Sequence, residues 1–548
     1  MSDASLSSTS PLDPVLRACR ALVASVAPPL QQAVPWVLPA LGTGAAAVAA
    51  YHCYLLAHFP GEARMEWSFV PILGHALAFG EDPIGTVQKL SRQSQQGCPV
   101  ASTAGQDECP AKPTQPPLKE VVGVLLAGQR IFLVNDPASF KVVFKPRPEL
   151  SFSSFANDVL INVFGASTTV TRGPQRDAVA PLVHSSYQRH LLSDQGCLAL
   201  TDRMQVKLAA LIAKTQHSEG KSTTVVDLLD FINRLVYRAS AAALFNESLA
   251  DSEELYQKFL AFDEMFALAL AGVPLSFLPD GLNGREALLE KLSSFRDDIS
   301  EFMEYRYGMF AENGHPERDV AANQLGLLWA SVGNTMPATF WVVYYLMSHA
   351  EALEAVKAEV RQVLGDKVHH PDDLFVTQAE LDGMHVMDSI ISEALRLSTG
   401  SLIMRRVTKA CSLTLSSGNS FKFRKGDCVG IFPPVVHRDE SLHAHPDKFV
   451  FDRFLASKCS AMKTLPTGQR VPASSCMVPF GGGASYCPGR KFARVEIKAL
   501  VAQILVRFDI QFEDPLSAVH PPKVDLSRAG LGVFQPKDCH IKVKLTPK

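Results

Sequence analysis

The chain has 548 residues, enough for one large buried core, and its 53 basic and 55 acidic side chains leave a formal net charge of −2. This balance excludes the strongly basic surface that nucleic-acid binding requires. The 11 cysteines are odd in number and scattered, without any Cys-x-x-Cys pair. This usage favours a reduced, cytosolic-side domain over a disulfide framework.

The N-terminal region contains one long apolar segment. Residues 34–57 include no Asp, Glu, Lys or Arg, and in helical form this segment is long enough to cross a hydrocarbon core. We predict a transmembrane anchor helix at 34–57, preceded by a tail at 1–33, with a buried core helix as the alternative. Because Arg17 and Arg20 precede the segment, the positive-inside rule does not favour a cytosolic position for the residues that follow.

The remainder, residues 58–548, is predicted to form one domain that is mainly α-helical with small β-sheets. Residues 93–119 are rich in Gln, Ser, Gly and Pro, which indicates a surface insertion or a disordered loop. Two strand-like runs at 121–126 and 130–134 predict a hairpin. Helical patterns dominate from there to about residue 400, and short strands follow.

The segment Ala321 to Met347 predicts one long helix that is apolar nearly all round and therefore buried. Its centre contains Pro337, which cannot donate a hydrogen bond to the carbonyl of Gly333 four residues earlier. We expect a local kink and a free carbonyl beside the Thr335 hydroxyl, which together form a small polar notch. A kink that serves only packing is the alternative.

Glu393 and Arg396 lie three residues apart in a segment with apolar residues at helical spacing, so both side chains share one helix face. An exposed pair of this kind is common and contributes little to stability. From spacing alone the simplest interpretation is a solvated ion pair.

The most informative stretch is Phe480 to Gly489, a glycine-rich loop that places Cys487 directly before a predicted helix. Pro488 suits the first helical position, because its missing N–H is not needed there. Cys487 therefore lies at the positive end of a helix dipole, which is expected to lower the pKa of the thiol and favour a thiolate metal ligand. A buried structural cysteine is the alternative interpretation.

The pattern Phe-x-x-Gly-x-x-x-Cys-x-Gly, formed by Phe480, Gly483, Cys487 and Gly489, resembles the haem-binding signature of the cytochrome P-450 monooxygenases. The resemblance implies the cytochrome P-450 fold, heme b as the cofactor and Cys487 as the axial ligand of its iron. It also implies that O2 and NADPH-derived electrons, supplied by a reductase, are consumed.

The resemblance extends to the charged pair at Glu393 and Arg396. In the family such a Glu-x-x-Arg pair is buried and joined by an arginine from a later Phe-x-Pro-x-Arg-Phe segment. That segment is here Phe449 to Phe454, with Phe451 in place of proline and Arg453 as the matching arginine. The implied role of this triad is structural, beneath the haem.

The long helix departs from the usual family pattern. In the family an acid followed by an alcohol delivers protons during oxygen activation, whereas this chain has Asn334 before Thr335. Asn can orient water but cannot release a proton at neutral pH, so proton delivery must run through water or the backbone. Trp329 to Trp341 is similar to the branch containing cholesterol and oxysterol 7-alpha-hydroxylases, sterol 12-alpha-hydroxylase and prostacyclin synthase.

Haem propionate binding also departs from the usual pattern, because Ser485 stands where most family members carry a basic residue. The resemblance makes Arg405, which follows Arg396 by nine residues, the best match for a propionate ligand. Arg406 beside it is the rival candidate.

On the helix after the cysteine, Arg490, Arg494 and Lys498 recur every four residues and form a basic stripe. An ordinary solvated helix face is one interpretation, and docking of an acidic electron donor such as the reductase is the other. The resemblance slightly favours docking, because the stripe follows the thiolate ligand, on whose side electrons enter in the family.

The resemblance predicts a monooxygenase that hydroxylates an unactivated carbon of a sterol-like lipid, with sterol 7-alpha-hydroxylation as the first choice. The alternatives are an endoperoxide isomerase similar to prostacyclin synthase and a non-catalytic sterol or haem sensor. Thr335 argues against the isomerase, because rearrangement of a peroxide has no proton to deliver to dioxygen. The resemblance further implies a single-pass protein of the endoplasmic reticulum membrane with its catalytic domain facing the cytosol.

Overall fold

The computed structural model shows a mainly helical chain with small β-sheets, which confirms the predicted class. The structure describes residues 48–92, 118–168, 174–217, 223–294 and 296–548. The helices, in chain order, are Ala76–Glu81 (α1), Pro83–Arg92 (α2), Phe140–Phe144 (α3), Ser153–Asn162 (α4), Pro174–Tyr187 (α5), Asp194–His217 (α6), Leu228–Leu244 (α7), Glu247–Asp251 (α8), Glu253–Leu270 (α9), Pro279–Ser294 (α10), Glu301–Glu312 (α11), Glu317–Val332 (α12), Thr335–Ser348 (α13), Ala350–Leu364 (α14), Gln378–Gly383 (α15), His385–Ser398 (α16), Pro433–His437 (α17) and Arg490–Arg507 (α18).

Short strands form the sheets of the described region. The strands are Val121–Leu126 (β1), Gln129–Val134 (β2), Leu150–Ser151 (β3), Thr224–Asp227 (β4), Ile403–Val407 (β5), Cys411–Thr414 (β6), Ser420–Phe423 (β7), Cys428–Ile431 (β8), Met462–Thr464 (β9), Arg470–Pro472 (β10), Phe508–Phe512 (β11), Lys523–Val524 (β12), Pro536–Lys537 (β13) and Lys542–Pro547 (β14). The largest sheet has the order β1-β2-β8-β5-β3, with β2 and β8 parallel and the other neighbours antiparallel.

The predicted hairpin is present as β1 and β2. Ala127 and Gly128 have φ angles of 47° and 80°, and a tight two-residue hairpin turn requires positive φ at both positions. Through β8 this hairpin supports β5, which carries Arg405 and Arg406. The sheet therefore fixes where these two cations lie.

The predicted long helix at Ala321 to Met347 is instead two helices, α12 and α13, which meet at Gly333 and Asn334. Pro337 lies in the first turn of α13, where its missing N–H leaves no hydrogen bond unmade. The prediction of a kink within one continuous helix was wrong, because a new helix starts upstream of the proline.

α13 lies at the centre of the main core, where it packs against α7 and α16. Its residues from Thr335 to Tyr344 are all buried, as expected for a helix that is apolar all round. The Trp341 indole N–H donates to the Phe534 carbonyl at 2.7 Å, which attaches the C-terminal region to this helix. The Thr335 hydroxyl is thus a polar group in an apolar wall.

The predicted anchor at 34–57 is described only in its last part. Residues 48–56 are helical, and residues 34–47 lie outside the described residues, as does the tail at 1–33. Across the described ranges, no helix has both the length and the apolar character needed to cross a membrane. Nearly all of the predicted insertion at 93–119 also lies outside them.

Glu496 on α18 is a carboxyl group buried in the core without a cation beside it in the described structure. Its side chain is 1% exposed, and the Ser240 hydroxyl donates to its Oε1 at 2.6 Å. Its Oε2 has no hydrogen-bond partner among the described atoms. Burial raises the pKa of Glu496 to about 8, so the folded protein holds this group protonated at neutral pH.

We expect the Glu496 contribution to the free energy of unfolding to fall as the pH rises from about 5 to about 8. Over this range the Glu496 carboxyl is ionised in the unfolded chain, where its pKa has the ordinary value of 4.5, whereas the folded chain retains the proton. Glu496→Gln should flatten this dependence and raise the free energy of unfolding by about 1–3 kcal/mol near pH 8. Urea unfolding at both pH values measures the effect, with the exposed Glu312→Gln as control. Parallel pH profiles for wild type and Glu496→Gln would contradict the assignment of a buried proton.

Candidate active site

Cys487 lies in a loop that packs against α3 and leads into α18. Gly481 and Gly483 have φ angles of 76° and 63°, and a Cβ on Gly483 would come within 2.3 Å of the Phe144 carbonyl oxygen. The Cys487 N–H donates to the Phe480 carbonyl at 3.0 Å and closes the loop. Backbone conformation and close packing therefore both require glycine at position 483.

Cys487 is partly exposed, and the Arg490 N–H donates to its carbonyl at 3.4 Å, while the backbone N–H groups of Gly489 and Arg490 favour the thiolate form. Burial nevertheless raises the pKa of the thiol, and these N–H groups and the Arg490 charge offset it only in part. The prediction of a lowered thiol pKa was wrong for the free thiol, because desolvation outweighs the helix terminus. A bound metal cation reverses this balance, since a coordinating thiol is deprotonated.

Glu393 and Arg396 of α16 form a buried ion pair, not a solvated one. Both side chains are 0% exposed, and Arg396 Nε and Nη2 donate to the Glu393 carboxylate at 2.8 and 2.9 Å. Arg453 Nε donates to the same carboxylate at 2.9 Å, so the three residues meet. Charge-assisted forks of this kind hold a fixed geometry.

His437 connects this triad to the cysteine loop. Its carbonyl accepts a hydrogen bond from Arg396 at 2.7 Å, and its Nε2 accepts the Val478 N–H at 3.1 Å, just before the loop begins. Burial lowers the pKa of His437 to about 3, so the ring is neutral and can accept this hydrogen bond. His437 and Val478 are 41 residues apart, so no local sequence pattern indicates the contact.

Asn334 and Thr335 lie together at the break between α12 and α13. The Thr335 hydroxyl donates to the Ser331 carbonyl at 2.7 Å, and its lone pairs can still accept a hydrogen bond. Asn334 Oδ1 accepts the Val533 N–H at 2.9 Å, and a Cβ on Gly532 would come within 2.0 Å of this oxygen. Asn334 thus clamps the C-terminal segment to the helix break, a contact that sequence reasoning did not anticipate.

Arg405 is a buried cation without a carboxylate in ion-pair distance among the described residues. It is 5% exposed and donates to the Met404 carbonyl at 2.9 Å and to the Ser485 hydroxyl of the cysteine loop. Burial lowers the pKa of Arg405, as expected for an uncompensated charge. The rival Arg406 instead pairs with Asp158 at 2.5 Å. Arg405 therefore fits an anionic group such as a haem propionate better than Arg406 does.

The predicted basic stripe is only partly exposed to solvent, since Arg490 and Arg494 keep exposed surface and Lys498 does not. Lys498 is 5% exposed, and its Nζ pairs with Asp388 of α16 at 2.6 Å. Arg494 lies 3.6 Å from the same carboxylate, and Arg490 donates to the Cys487 carbonyl at 2.9 Å. The fold thus buries one end of the stripe, and docking of a reductase on Arg490 and Arg494 stays a prediction.

Sequence reasoning missed a buried carboxylate on α9, Asp263. It accepts hydrogen bonds from Trp329 Nε1 and Arg528 at 2.8 Å each and from Gln535 Nε2 at 2.9 Å. Phe266 stacks on Trp329 with their ring centroids 3.8 Å apart. These contacts join α9, α12 and the C-terminal segment. The partners lie up to 272 residues from Asp263 in sequence, so no spacing pattern reveals them.

A cavity of about 500 Å³ lies between α4, the end of α9 and the segment that follows α9. Apolar side chains such as Val159 and Leu275 and the polar side chains of Asp158, Asn162 and Arg406 line it together. α4 also packs against α12 and β5. The cavity therefore lies among the same elements that carry the Trp329 contacts and the Arg405 cation. Its volume lies within the range of small-molecule sites.

Comparison with known proteins gives consistent matches over most of the chain. The profile of the Cytochrome P450 family matches residues 114–528. "Cytochrome P450 7B1" of Mus musculus is 29% identical over 492 residues, which cover 87% of this chain and 89% of that protein. "7-alpha-hydroxycholest-4-en-3-one 12-alpha-hydroxylase" of Homo sapiens is 29% identical over 530 residues, 93% of this chain and 99% of that protein. "25-hydroxycholesterol 7-alpha-hydroxylase" of Rattus norvegicus is 30% identical over 410 residues, which cover 72% of this chain and 96% of that protein.

Proposed function

Because the chain belongs to the cytochrome P450 family, we propose that it hydroxylates a sterol-like lipid, with Cys487 as the axial ligand of the haem iron. As a cytochrome P450 monooxygenase it uses haem, O2 and electrons from a reductase. The observation that carries the site assignment is the cysteine loop. The loop places Cys487 just before α18, and the buried cation Arg405 contacts the same loop.

Haem, when bound, supplies the oxygen activation chemistry. Two residues of this chain would hold it in place, Cys487 as the ligand and Arg405 at a propionate. Gly483 supports the cysteine loop by its close packing against Phe144 of α3. Glu393 and its two arginine partners act as a scaffold, because Arg396 contacts the His437 carbonyl and the His437 ring in turn accepts the Val478 N–H beside the loop.

Thr335 and Asn334 take separate roles in this proposal. Thr335 lies in the apolar wall of α13 with lone pairs free to accept a hydrogen bond from water, so it positions the water that delivers protons. Asn334 cannot release a proton at neutral pH, and its Oδ1 is committed to Val533. Asn334 therefore acts by holding the backbone around Thr335.

Thr335→Val should keep haem but uncouple the reaction, because valine has nearly the same shape and lacks the hydroxyl. We expect the yield of product per NADPH to fall by about tenfold or more, with hydrogen peroxide replacing product. Assays of NADPH, product and peroxide in the same reaction measure the coupling. Thr339→Val, one turn along α13 and fully buried, is the matched control. If Thr335→Val forms as much product per NADPH as the Thr339→Val control, Thr335 has no part in proton delivery.

The relatives support a sterol as the substrate class, because two of their names specify sterol hydroxylases. Sterol 7-alpha-hydroxylation is the first choice, in agreement with the name of the Rattus norvegicus protein and with the similarity across Trp329 to Trp341. The carbon that is hydroxylated depends on how the cavity orients the ligand.

The proposed location is the endoplasmic reticulum membrane, with a single anchor at 34–57, the catalytic domain in the cytosol and a membrane-bound NADPH-dependent reductase as the electron donor. Exposed aromatic side chains just after this segment support membrane contact. Trp67 is 61% exposed and Phe69 is 87% exposed. Aromatic rings are enriched at membrane–water interfaces.

Turnover of the purified, haem-loaded protein with NADPH, reductase, O2 and a panel of sterols tests this function. A product one oxygen heavier, formed only with reductase and detected by mass spectrometry, is the expected result. Absence of product together with reductase-independent rearrangement of a prostaglandin endoperoxide would instead identify an isomerase. Ligand binding without either reaction would favour a sensor.

A further inference from the structure

Asp263 of α9 is a buried carboxylate on which three side-chain donors converge. Its side chain is 6% exposed. Oδ1 accepts hydrogen bonds from Trp329 Nε1 and Arg528 Nη2, both at 2.8 Å, and Oδ2 accepts one from Gln535 Nε2 at 2.9 Å. A carboxylate only accepts, so both of its oxygens can serve these donors, whereas an amide has only one accepting oxygen. The site therefore requires an acid at position 263.

The contact with Trp329 fixes the end of α12. Trp329 lies four residues before the helix break, and its carbonyl accepts the Gly333 N–H at 2.8 Å. Its indole stacks on Phe266, which follows Asp263 by three residues on α9, with the ring centroids 3.8 Å apart. A shift of α12 along α9 would thus break either the hydrogen bond to Asp263 or the ring stack.

The other two contacts fix the C-terminal segment, because Arg528 and Gln535 lie at its two ends. Arg528 is held twice, since its Nη1 also donates to the Asp263 carbonyl at 2.9 Å. Between these ends, the Val533 N–H donates to Asn334 Oδ1 at 2.9 Å, and Asn334 directly precedes α13. Asp263 therefore holds both ends of a segment whose middle contacts the start of α13.

Thr335 lies between the two parts that Asp263 fixes. It is the first residue of α13, and its hydroxyl donates across the break to the Ser331 carbonyl of α12 at 2.7 Å. The orientation of this hydroxyl depends on how α12 and α13 are held relative to each other. We propose that Asp263 is a positioning residue for the hydroxylation, which fixes the Thr335 hydroxyl by fastening α12 and the C-terminal segment to α9. This inference rests on the proposed function and on the role of Thr335 within it.

The expected effect of Asp263→Asn is a loss of coupling. Each NADPH supplies two electrons, which with O2 and two protons yield either hydroxylated product and water or hydrogen peroxide. The substitution removes one accepting oxygen and the charge partner of Arg528, so the helix break is held less firmly. We expect the product formed per NADPH to fall by about fivefold or more, with hydrogen peroxide in its place. Assays of NADPH, product and peroxide on the haem-loaded protein measure this ratio.

The Thr335→Val background shows whether Asp263 acts through Thr335. Once the hydroxyl is gone, its position no longer matters, so two substitutions that act on the same step are not additive. We expect the double variant Asp263→Asn/Thr335→Val to form product per NADPH within about twofold of Thr335→Val alone. Additive losses of coupling would overturn the inference.

Glu62→Gln is the matched control for general destabilisation. The Glu62 side chain is 7% exposed and pairs with Arg424, between β7 and β8, at 2.7 Å. Both substitutions remove the carboxylate of a nearly buried ion pair and should lower the resistance to urea. Only Asp263→Asn should lower the coupling. Equal uncoupling by the two variants would overturn the positioning role.

Gln535→Met decides the matter if Asp263→Asn does not fold with haem. It removes only the neutral hydrogen bond at Oδ2 and leaves the ion pair with Arg528 in place. Coupling should fall by about twofold, and wild-type coupling in this variant would overturn the inference.

Failure of the proposed function gives a different result. A wild-type protein that forms no oxygenated product from any sterol would overturn both that function and the role of Asp263 in it. Product formation by the wild type, with the same coupling in Asp263→Asn, would overturn the positioning role alone.

Discussion

Cys487→Ser is expected to give a folded protein that lacks the absorption signature of thiolate-ligated haem and has no detectable monooxygenase activity. A serine hydroxyl does not ionise near neutral pH and is a harder ligand than a thiolate, so it cannot replace the sulfur at the iron. The loop itself should persist, because its closing hydrogen bond is made by the backbone N–H of Cys487 and the Phe480 carbonyl.

The measurement is the difference spectrum of the reduced protein with carbon monoxide, together with haem content and turnover. Cys459→Ser is a matched control, since Cys459 is also a partly exposed free cysteine and lies outside the cysteine loop. A normal spectrum from Cys487→Ser would remove Cys487 as the axial ligand. Loss of the spectrum in the Cys459 variant as well would point to a general effect on folding.

Glu393→Gln is expected to lower the free energy of unfolding by about 3–5 kcal/mol. The substitution keeps the side-chain shape but leaves Arg396, which is 0% exposed, without its charge partner. Arg453 loses the same partner, so two guanidinium groups are affected at once. Removal of one member of a buried ion pair is costly because the remaining charge stays desolvated.

Chemical unfolding of both proteins measures this loss, and Glu354→Gln is the control. Glu354 and Lys357 form an ion pair with the same three-residue spacing on a helix, at 3.1 Å, with Glu354 65% exposed. This exposed pair should contribute about 0–1 kcal/mol. Equal effects from the two substitutions would contradict a scaffold role for Glu393. Loss of activity at unchanged stability would instead place Glu393 in the chemistry.

Local patterns predicted the parts of the site that depend on neighbours in the chain. The loop around Cys487 could be read from its glycines and the helix that follows, because positive φ angles and a helix start are local properties. The helix begins at Arg490 with Gly489 as its N-cap, two residues after the start at Pro488 that the sequence predicted. The spacing of Glu393 and Arg396 correctly placed both on one face of a helix. It could not show that this face is buried, since burial depends on the residues 437–453 packed against it.

Other features depended on which elements pack together. The basic residues of α18 read as a stripe, but the fold turns Lys498 towards Asp388, 110 residues away. The resemblance ranked Arg405 above Arg406 by its spacing from Arg396, but only the pairing of β5 and the position of α4 give the two arginines different partners. The helix break escaped prediction because it is stabilised by the Asn334 contact with Val533, 199 residues later.

The sequence by itself determined the family, the haem-thiolate chemistry that the resemblance implies, and the mainly helical class, because motifs and helical periodicity are carried by short runs of residues. The tertiary structure alone decided which charges are buried, which of the two arginines of β5 pairs with Asp158, and how α4 and the end of α9 line a cavity. These properties arise from desolvation and from contacts between residues far apart in the chain. Spacing along a sequence records neither of them.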